Sequence, residues 1–284
     1  MSTWEFPGSD PIDVFVDLAS GRVALAAGPA DVTTVELSAS WPSRGEPDIK
    51  VSFEEGHLEV IGPRRSGLWR GPAGLDLAIT LPAGSRCVLR TASADVTCTG
   101  DLADLDVHTA SGDVTAASVT GIAEITTASG DVRLDETRAE AHVRTAGGDV
   151  RLARARGDLT VRTASGDVTV GSAASSVTVA TASGDVRLDS VAAGRSEVST
   201  TSGDVLVGVA AGVGVYLDLA SVTGSATSQL DETEAGDDVP LEVVCRTVSG
   251  DIRIARAPRV DAGARRSVPA LPAVNIPETP PPAS

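Results

Sequence analysis

The chain has 284 residues and a formal net charge of −16, from 23 Lys and Arg against 39 Asp and Glu. That balance excludes nucleic acid and anionic membrane surfaces as main partners, since both repel an acidic protein. Hydrophobic residues make up 42% of the chain, which excludes a wholly disordered polypeptide and allows a sizeable core.

In chain order, residues 1–11 form a lead, MSTWEFPGSDP, without a basic segment followed by an apolar one. No run of 18 apolar residues follows, so a cytoplasmic protein with no direct membrane insertion is expected. Residues 12–82 carry VFVDLAS, RVALAA, VTTVELS, DIKVSF, HLEVIG and LDLAITL. Their alternation predicts antiparallel strands with turns such as Glu55-Gly56. Of the seven aromatic residues, Trp4, Phe6, Phe15, Trp41, Phe53 and Trp69 precede residue 70, and only Tyr216 lies beyond it. The block reads as a β cap with first coils, its functional alternative being a partner-binding head.

Residues 83–257 are dominated by a repeat. Thr-Ala-Ser-Gly-Asp-Val occurs at 109–114, 127–132, 163–168 and 181–186, with variants at 91–96, 145–150, 200–205 and 247–252. Asp95, Asp113, Asp131, Asp149, Asp167 and Asp185 follow one another at steps of 18 residues; Asp204 comes after 19. A variant coil at 221–226 and an acidic insertion at 231–238 lie before Asp251, and DLASGRVAL at 17–25 reads as a diverged copy. Within a repeat, apolar residues alternate with polar ones on either side of the Ser-Gly-Asp, as in Leu105 and Val107, then Val114 and Ala116. Period two means strands, and Gly-Asp between them means a tight turn, Asp being able to bond its own backbone. One such unit cannot bury its apolar row, whereas stacked copies can. The expectation is an all-β protein: a parallel β-solenoid of about 18-residue coils, leaning right-handed. No proline occurs from 83 to 239, as central ladders require. Cys87, Cys98 and Cys245 all take inward positions in this register, as buried thiols. Residues 258–284 hold seven of the 16 prolines and read as a disordered tail.

The repeated glycine–aspartate pairs are Gly112-Asp113, Gly130-Asp131, Gly148-Asp149, Gly166-Asp167, Gly184-Asp185, Gly203-Asp204 and Gly250-Asp251. A catalytic group occurs once, in one environment; a residue demanded at every turn serves the turn. His57, His108 and His142 have no ligand spacing to one another or to Cys. No catalytic residue and no cofactor are therefore assigned. Stacking would line Asp95, Asp113, Asp131, Asp149, Asp167, Asp185 and Asp204 in one row, where like charges need compensation. Arg133, Arg151, Arg187 and Arg253 on one side, and Arg144, Arg162 and Arg246 on the other, are placed to supply it. The second reading of the row is calcium, although the second Gly-rich turn of calcium-binding solenoids is missing.

The TASGDV repeats, together with WEF, IDVFVDLASGRVAL, VELS, FEEGHLEV and LPAGSR in the N-terminal part, resemble the bacterial β-strand-repeat family known as "putative adhesin", domain of unknown function 4097. The resemblance covers about residues 4–256. It implies a β-solenoid without an established enzymatic activity, in a family some of whose members belong to cell-envelope stress systems. The architecture is also similar to that of bactofilins, which polymerise end to end. The leading expectation is a non-enzymatic scaffold or protein-interaction module with an unidentified protein partner. A self-assembling filament is the alternative, for which the final coil, LEVVCRTVSGDIRIA, carries no capping segment after it. An adhesin or surface glycan binder and a polysaccharide-active β-helix enzyme are further alternatives. Departures from the repeat mark the functional surface: the acidic loop at 231–238, the hairpins of 40–72 and the tail.

Overall fold

The computed structural model describes residues 2–39, 49–62, 75–230 and 241–258. The described residues are all β. The N-terminal part contributes β1 (Ser2–Pro7), β2 (Asp13–Gly28), β3 (Val32–Ala39), β4 (Lys50–Glu54), β5 (His57–Ile61), β6 (Leu75–Pro82) and β7 (Arg86–Leu102). The repeats contribute β8 (Leu105–His108), β9 (Val114–Val119), β10 (Ala123–Thr126), β11 (Val132–Thr137), β12 (Ala141–Arg144), β13 (Val150–Ala155), β14 (Leu159–Ser165), β15 (Val168–Ala173), β16 (Val177–Ser183) and β17 (Val186–Val191). The C-terminal part contributes β18 (Gly194–Ser202), β19 (Val205–Val209), β20 (Val215–Thr223), β21 (Ala226–Ser228), β22 (Leu241–Ser249) and β23 (Ile252–Arg256).

The period of the sequence becomes the register of the stack. Leu105 pairs with Ala123 and Ala123 with Ala141; on the other side Val114 pairs with Val132 and Val132 with Val150, all parallel. Inward positions thereby form continuous apolar rows, and Leu105, Val107, Val114, Ile125, Val132 and Leu134 are each at most 1% exposed. Cys87, Cys98 and Cys245 are buried in these rows, where Cys98 pairs with Ala116 and Cys245 with Val198.

The diverged N-terminal copy is a genuine coil. The long strand β2 pairs in parallel with β7 from Asp13–Arg86 to Ala26–Thr99, setting Gly21 beside Ala94 and Arg22 beside Asp95. On its other side β2 pairs in parallel with β5 and β6. Antiparallel pairing is confined to the outermost layer, where β4 lies on β5, β3 on β6 and β1 on β3. Phe6 of β1 stacks on Phe53 of β4 at 4.8 Å between ring centroids, and both rings and Trp4 pack on the end of the core. Trp4, Phe6 and Phe53 therefore close the N-terminal end of the apolar rows.

At the other end, chain order and spatial order part. β18 and β19 pair with β22 and β23, and these in turn carry β20 and β21 on their far side. The coil at 241–256 is thus inserted beneath one that precedes it in sequence. This corrects the expectation that it ends the stack uncovered: residues 215–228 lie over it.

Candidate functional site

The glycine–aspartate ladder exists, but its chemistry differs from the expected local turn. Each Asp accepts, through Oδ1, the backbone N–H of the Asp in the next coil. Asp95 accepts from Asp113 at 3.1 Å, Asp113 from Asp131 and Asp131 from Asp149 at 2.9 Å, and Asp149 from Asp167 at 3.0 Å. Asp167 accepts from Asp185 at 2.9 Å, while Asp185 and Asp204 accept from Asp204 and Asp251 at 2.8 Å. The row ends at Asp251, whose Oδ1 takes both the N–H and the hydroxyl of Ser225. Those bonds, the backbone one foremost, hold its carboxyl below the usual range against the opposing effect of burial, with a lesser contribution from the Arg253 charge. The neighbouring glycines are required by stacking. A Cβ on Gly130 would lie 1.9 Å from the carbonyl oxygen of Gly112, and one on Gly148 would lie 1.9 Å from that of Gly130.

Arginine compensates the row only in part. Arg151 reaches Asp149 at 2.8 Å and Arg253 reaches Asp251 at 3.2 Å. Arg133 and Arg187 turn to Asp135 and Asp189 instead, and Arg144 and Arg246 to Glu124 and Asp218. Most of the compensation is the N–H at each step, a hydrogen bond to a charged acceptor. Among the described residues, no three His, Cys, Asp or Glu side chains gather as a metal site. His57, His108 and His142 each face one carboxylate, of Asp13, Asp106 and Glu140 respectively.

The irregular surface lies at the N-terminal end. A groove of about 680 Å³ runs over the outer face of the first coils, lined by residues of β2, β4, β5 and β7. Alternation in Val14-Phe15-Val16 buries the two valines and turns Phe15 outward, beside Val88 of β7 and Glu59 of β5. The Arg90 guanidinium sits 5.6 Å from the Phe15 ring centroid, a cation–π distance. Two ion pairs, Lys50–Glu59 at 3.0 Å and Arg86–Asp104 at 3.0 Å, and a His57–Asp13 contact at 3.4 Å surround this apolar floor. The β4–β5 hairpin that forms one wall turns at Glu55 and Gly56, both with positive φ (48° and 80°). Such a surface can hold an apolar or planar group on Phe15 and Val88 while offering both charge signs at the rim.

Of the hairpins of 40–72 that sequence reasoning names beside the acidic loop and the tail, β4 and β5 lie among the described residues and line the groove, while 40–48 and 63–72 lie outside them. Sequence reasoning does not single out Phe15, Val88 or Arg90. Phe15 was legible as the one aromatic side chain on the polar phase of its strand. The 231–238 loop and nearly all of the 258–284 tail lie outside the described residues.

The family model for Toastrack DUF4097 matches residues 13–175 and 155–261. Among solved structures, the chain is similar to a "putative adhesin" from Bacteroides fragilis at 12% identity and TM-score 0.45, covering 89% of this chain and 96% of that one. It is similar to a "putative lipid binding protein" from Parabacteroides distasonis at 14% identity and TM-score 0.38, covering 89% and 96%. A "putative cell adhesion protein" from Clostridium sporogenes is similar at 12% identity and TM-score 0.23, covering 90% and 99%. No curated protein matches the chain.

Proposed function

Because the chain belongs to the Toastrack DUF4097 family, we propose that it is a non-catalytic β-solenoid binding module that engages a protein partner through its N-terminal groove. The observation that carries this reading is the coil-to-coil bonding of the aspartates. The residues most suggestive of chemistry are occupied by the fold, Oδ1 to N–H, from Asp95 to Asp251. The groove is where the surface departs from that regularity and exposes an aromatic ring among paired charges. Regular rods present extended binding surfaces, and aromatic and Arg side chains dominate binding energy at protein interfaces. The membership of some relatives in cell-envelope stress systems makes a regulatory complex the setting we favour, with the rod as scaffold.

The test is affinity capture with the intact protein, the Phe15→Ala/Arg90→Glu double variant and a control variant, Thr169→Lys, at a half-buried position of β15 whose neighbours Val168 and Val170 are buried. The expected result is one stoichiometric partner held by the parent and the control and released by the groove variant. Retention of that partner by the groove variant sinks the reading. So does a hydrolytic or transferase activity that disappears on changing a ladder aspartate to Asn while the melting temperature holds.

A further inference from the structure

In a chain this acidic, one corner of the solenoid gathers arginine. Glu136, on β11, is only 12% exposed in its side chain because three guanidinium groups close over it. Arg156 Nε lies 2.7 Å from Oε1, Arg138 Nε 3.2 Å from the same oxygen, and Arg154 Nη2 3.3 Å from Oε2. The coil register builds the cluster: Glu136 is directly paired with Arg154 one coil on, and Arg138 and Arg156, 18 residues apart in the sequence, occupy equivalent places past the ends of β11 and β13. Partial burial pushes the Glu136 carboxyl up, but the Arg138 hydrogen bond and the charges of Arg156 and Arg154 outweigh it and hold it below the usual range. It stays a carboxylate at neutral pH.

The charges do not cancel. Three guanidiniums against Glu136 and Asp101 leave +3 − 2 = +1. Asp101 approaches only Arg138, at 3.9 Å, so Arg154 and Arg156 have no other carboxylate among the described residues. Each guanidinium has five N–H donors, more than one shared carboxylate can accept from all three. The side chains remain 49%, 60% and 62% exposed for Arg138, Arg154 and Arg156. One carboxylate thus holds three forks in place while their side chains stay about half or more exposed, which lowers the ordering cost of binding a further anion. Ser118 Oγ, one coil below and in register with Glu136, has no hydrogen-bond partner.

We propose that Arg138, Arg154 and Arg156, ordered by Glu136, form a binding site for a phosphomonoester dianion. Such a group carries a charge near −2 at neutral pH and three acceptor oxygens, one for each fork, and its charge exceeds what Glu136 and Asp101 leave unbalanced, so it is drawn most strongly to Arg154 and Arg156, which Asp101 does not reach. A single carboxylate supplies half that charge and two oxygens. The site lies on the opposite strand stack from the groove and does not depend on it.

The test is titration calorimetry on the full chain at low salt, with inorganic phosphate, a phosphoserine peptide and acetate as separate probes. Saturable one-to-one binding of a phosphate probe is expected, weakened about tenfold or more in Arg154→Gln/Arg156→Gln. Equal affinity for inorganic phosphate and the peptide identifies a free ligand, and tighter peptide binding identifies a phosphorylated protein; both support the site. Absence of saturation, equal binding of acetate, or an undiminished double variant overturns it. A second measurement avoids the variants altogether: the Nε–H resonances of Arg138, Arg154 and Arg156 in the parent protein should move together with phosphate, and shifts confined to other arginines overturn the site.

Discussion

At the residue scale, the aspartate row and the thiols illustrate how position in a stack decides chemistry. Removing the carboxylate of Asp167 strips the acceptor from the Asp185 N–H. Asp167→Ala is expected to cost about 1 kcal/mol, whereas Asp167→Asn keeps Oδ1 and should cost well under half of that. Urea unfolding of the two variants checks the pair, and equal losses would mean that charge, not the bond, is what counts. The cysteines act oppositely, as apolar groups. Burial, with a smaller effect from the Asp13 charge, pushes Cys87 up to about 12. Burial alone takes Cys245 to about 12, and burial followed by the neighbouring Cys87 raises Cys98 strongly. The thiolate is the reactive form, so no thiol should react with a disulfide reagent at pH 8 in the native protein, and all three should react in denaturant. Glu136 gives a pH dependence whose sign follows from its depressed folded pKa: its contribution is present above the ordinary Glu range, near 4.3, and is lost as pH falls through the lower folded value. Parent and Glu136→Gln melting temperatures should therefore converge on acidification below about pH 4, a convergence absent at neutral pH.

At the element scale, one hexamer adopts two turns. In the coils of Asp113 and Asp131, Thr109 and Thr127 hydroxyls accept the N–H of Gly112 and Gly130. In the coils of Asp167 and Asp185, with the same TASGDV, Thr163 and Thr181 instead donate to the carbonyls of Ser165 and Ser183. Gly166 and Gly184 there take φ of 143° and 141°, and their N–H groups bond to the next coil. Neighbouring coils share a geometry, and the change falls between Gly148 and Gly166. The local sequence permits both turns, and the coil stacked against it selects one, as expected of a nearest-neighbour array. The coil before the change is TAGGDV, where Gly147 replaces Ser. A Cβ there would meet only the Ala128 carbonyl oxygen at 3.8 Å, so Gly147→Ser should stay within about 0.5 kcal/mol of the parent. Gly166→Ala meets the Gly148 carbonyl at 2.3 Å and a φ of 143°; it should cost more than about 2 kcal/mol. Chemical denaturation distinguishes the two. The coils themselves were legible, because Leu105, Val107 and Val114 recur in a fixed phase. Which turn each coil takes was not, because identical letters at 127–132 and 163–168 carry no record of their neighbours.

At the scale of the whole molecule, the two ends decide whether coils can add without limit. The sequence left this open for a physical reason: linear order does not encode stacking order, and 215–228 lies outside 241–256 although it comes first. Among the described residues, the N-terminal coil offers no free parallel edge. β4 covers β5 and β3 covers β6 with antiparallel pairing, and Phe6 on Phe53 seals the core between them. The C-terminal coil does offer one, since β20 and β21 pair on one side only among the described residues. Tyr216 is 60% exposed and Val222 75% exposed on it. The aspartate row also stops there, with Ser225 where the next carboxylate would stand. A head-to-tail filament built by parallel coil stacking needs a bare parallel edge at both ends, and among the described residues only the C-terminal end offers one. Growth is therefore capped: two bare edges could meet about a two-fold axis, which closes the assembly as a dimer. Light scattering behind size exclusion over a hundredfold concentration range should return the 28.7 kDa chain or at most its dimer. Any dimer should disappear in Val222→Lys, a charge placed on the open edge strand. Rods longer than two chains in that experiment would overturn the capped-end reading and restore the filament.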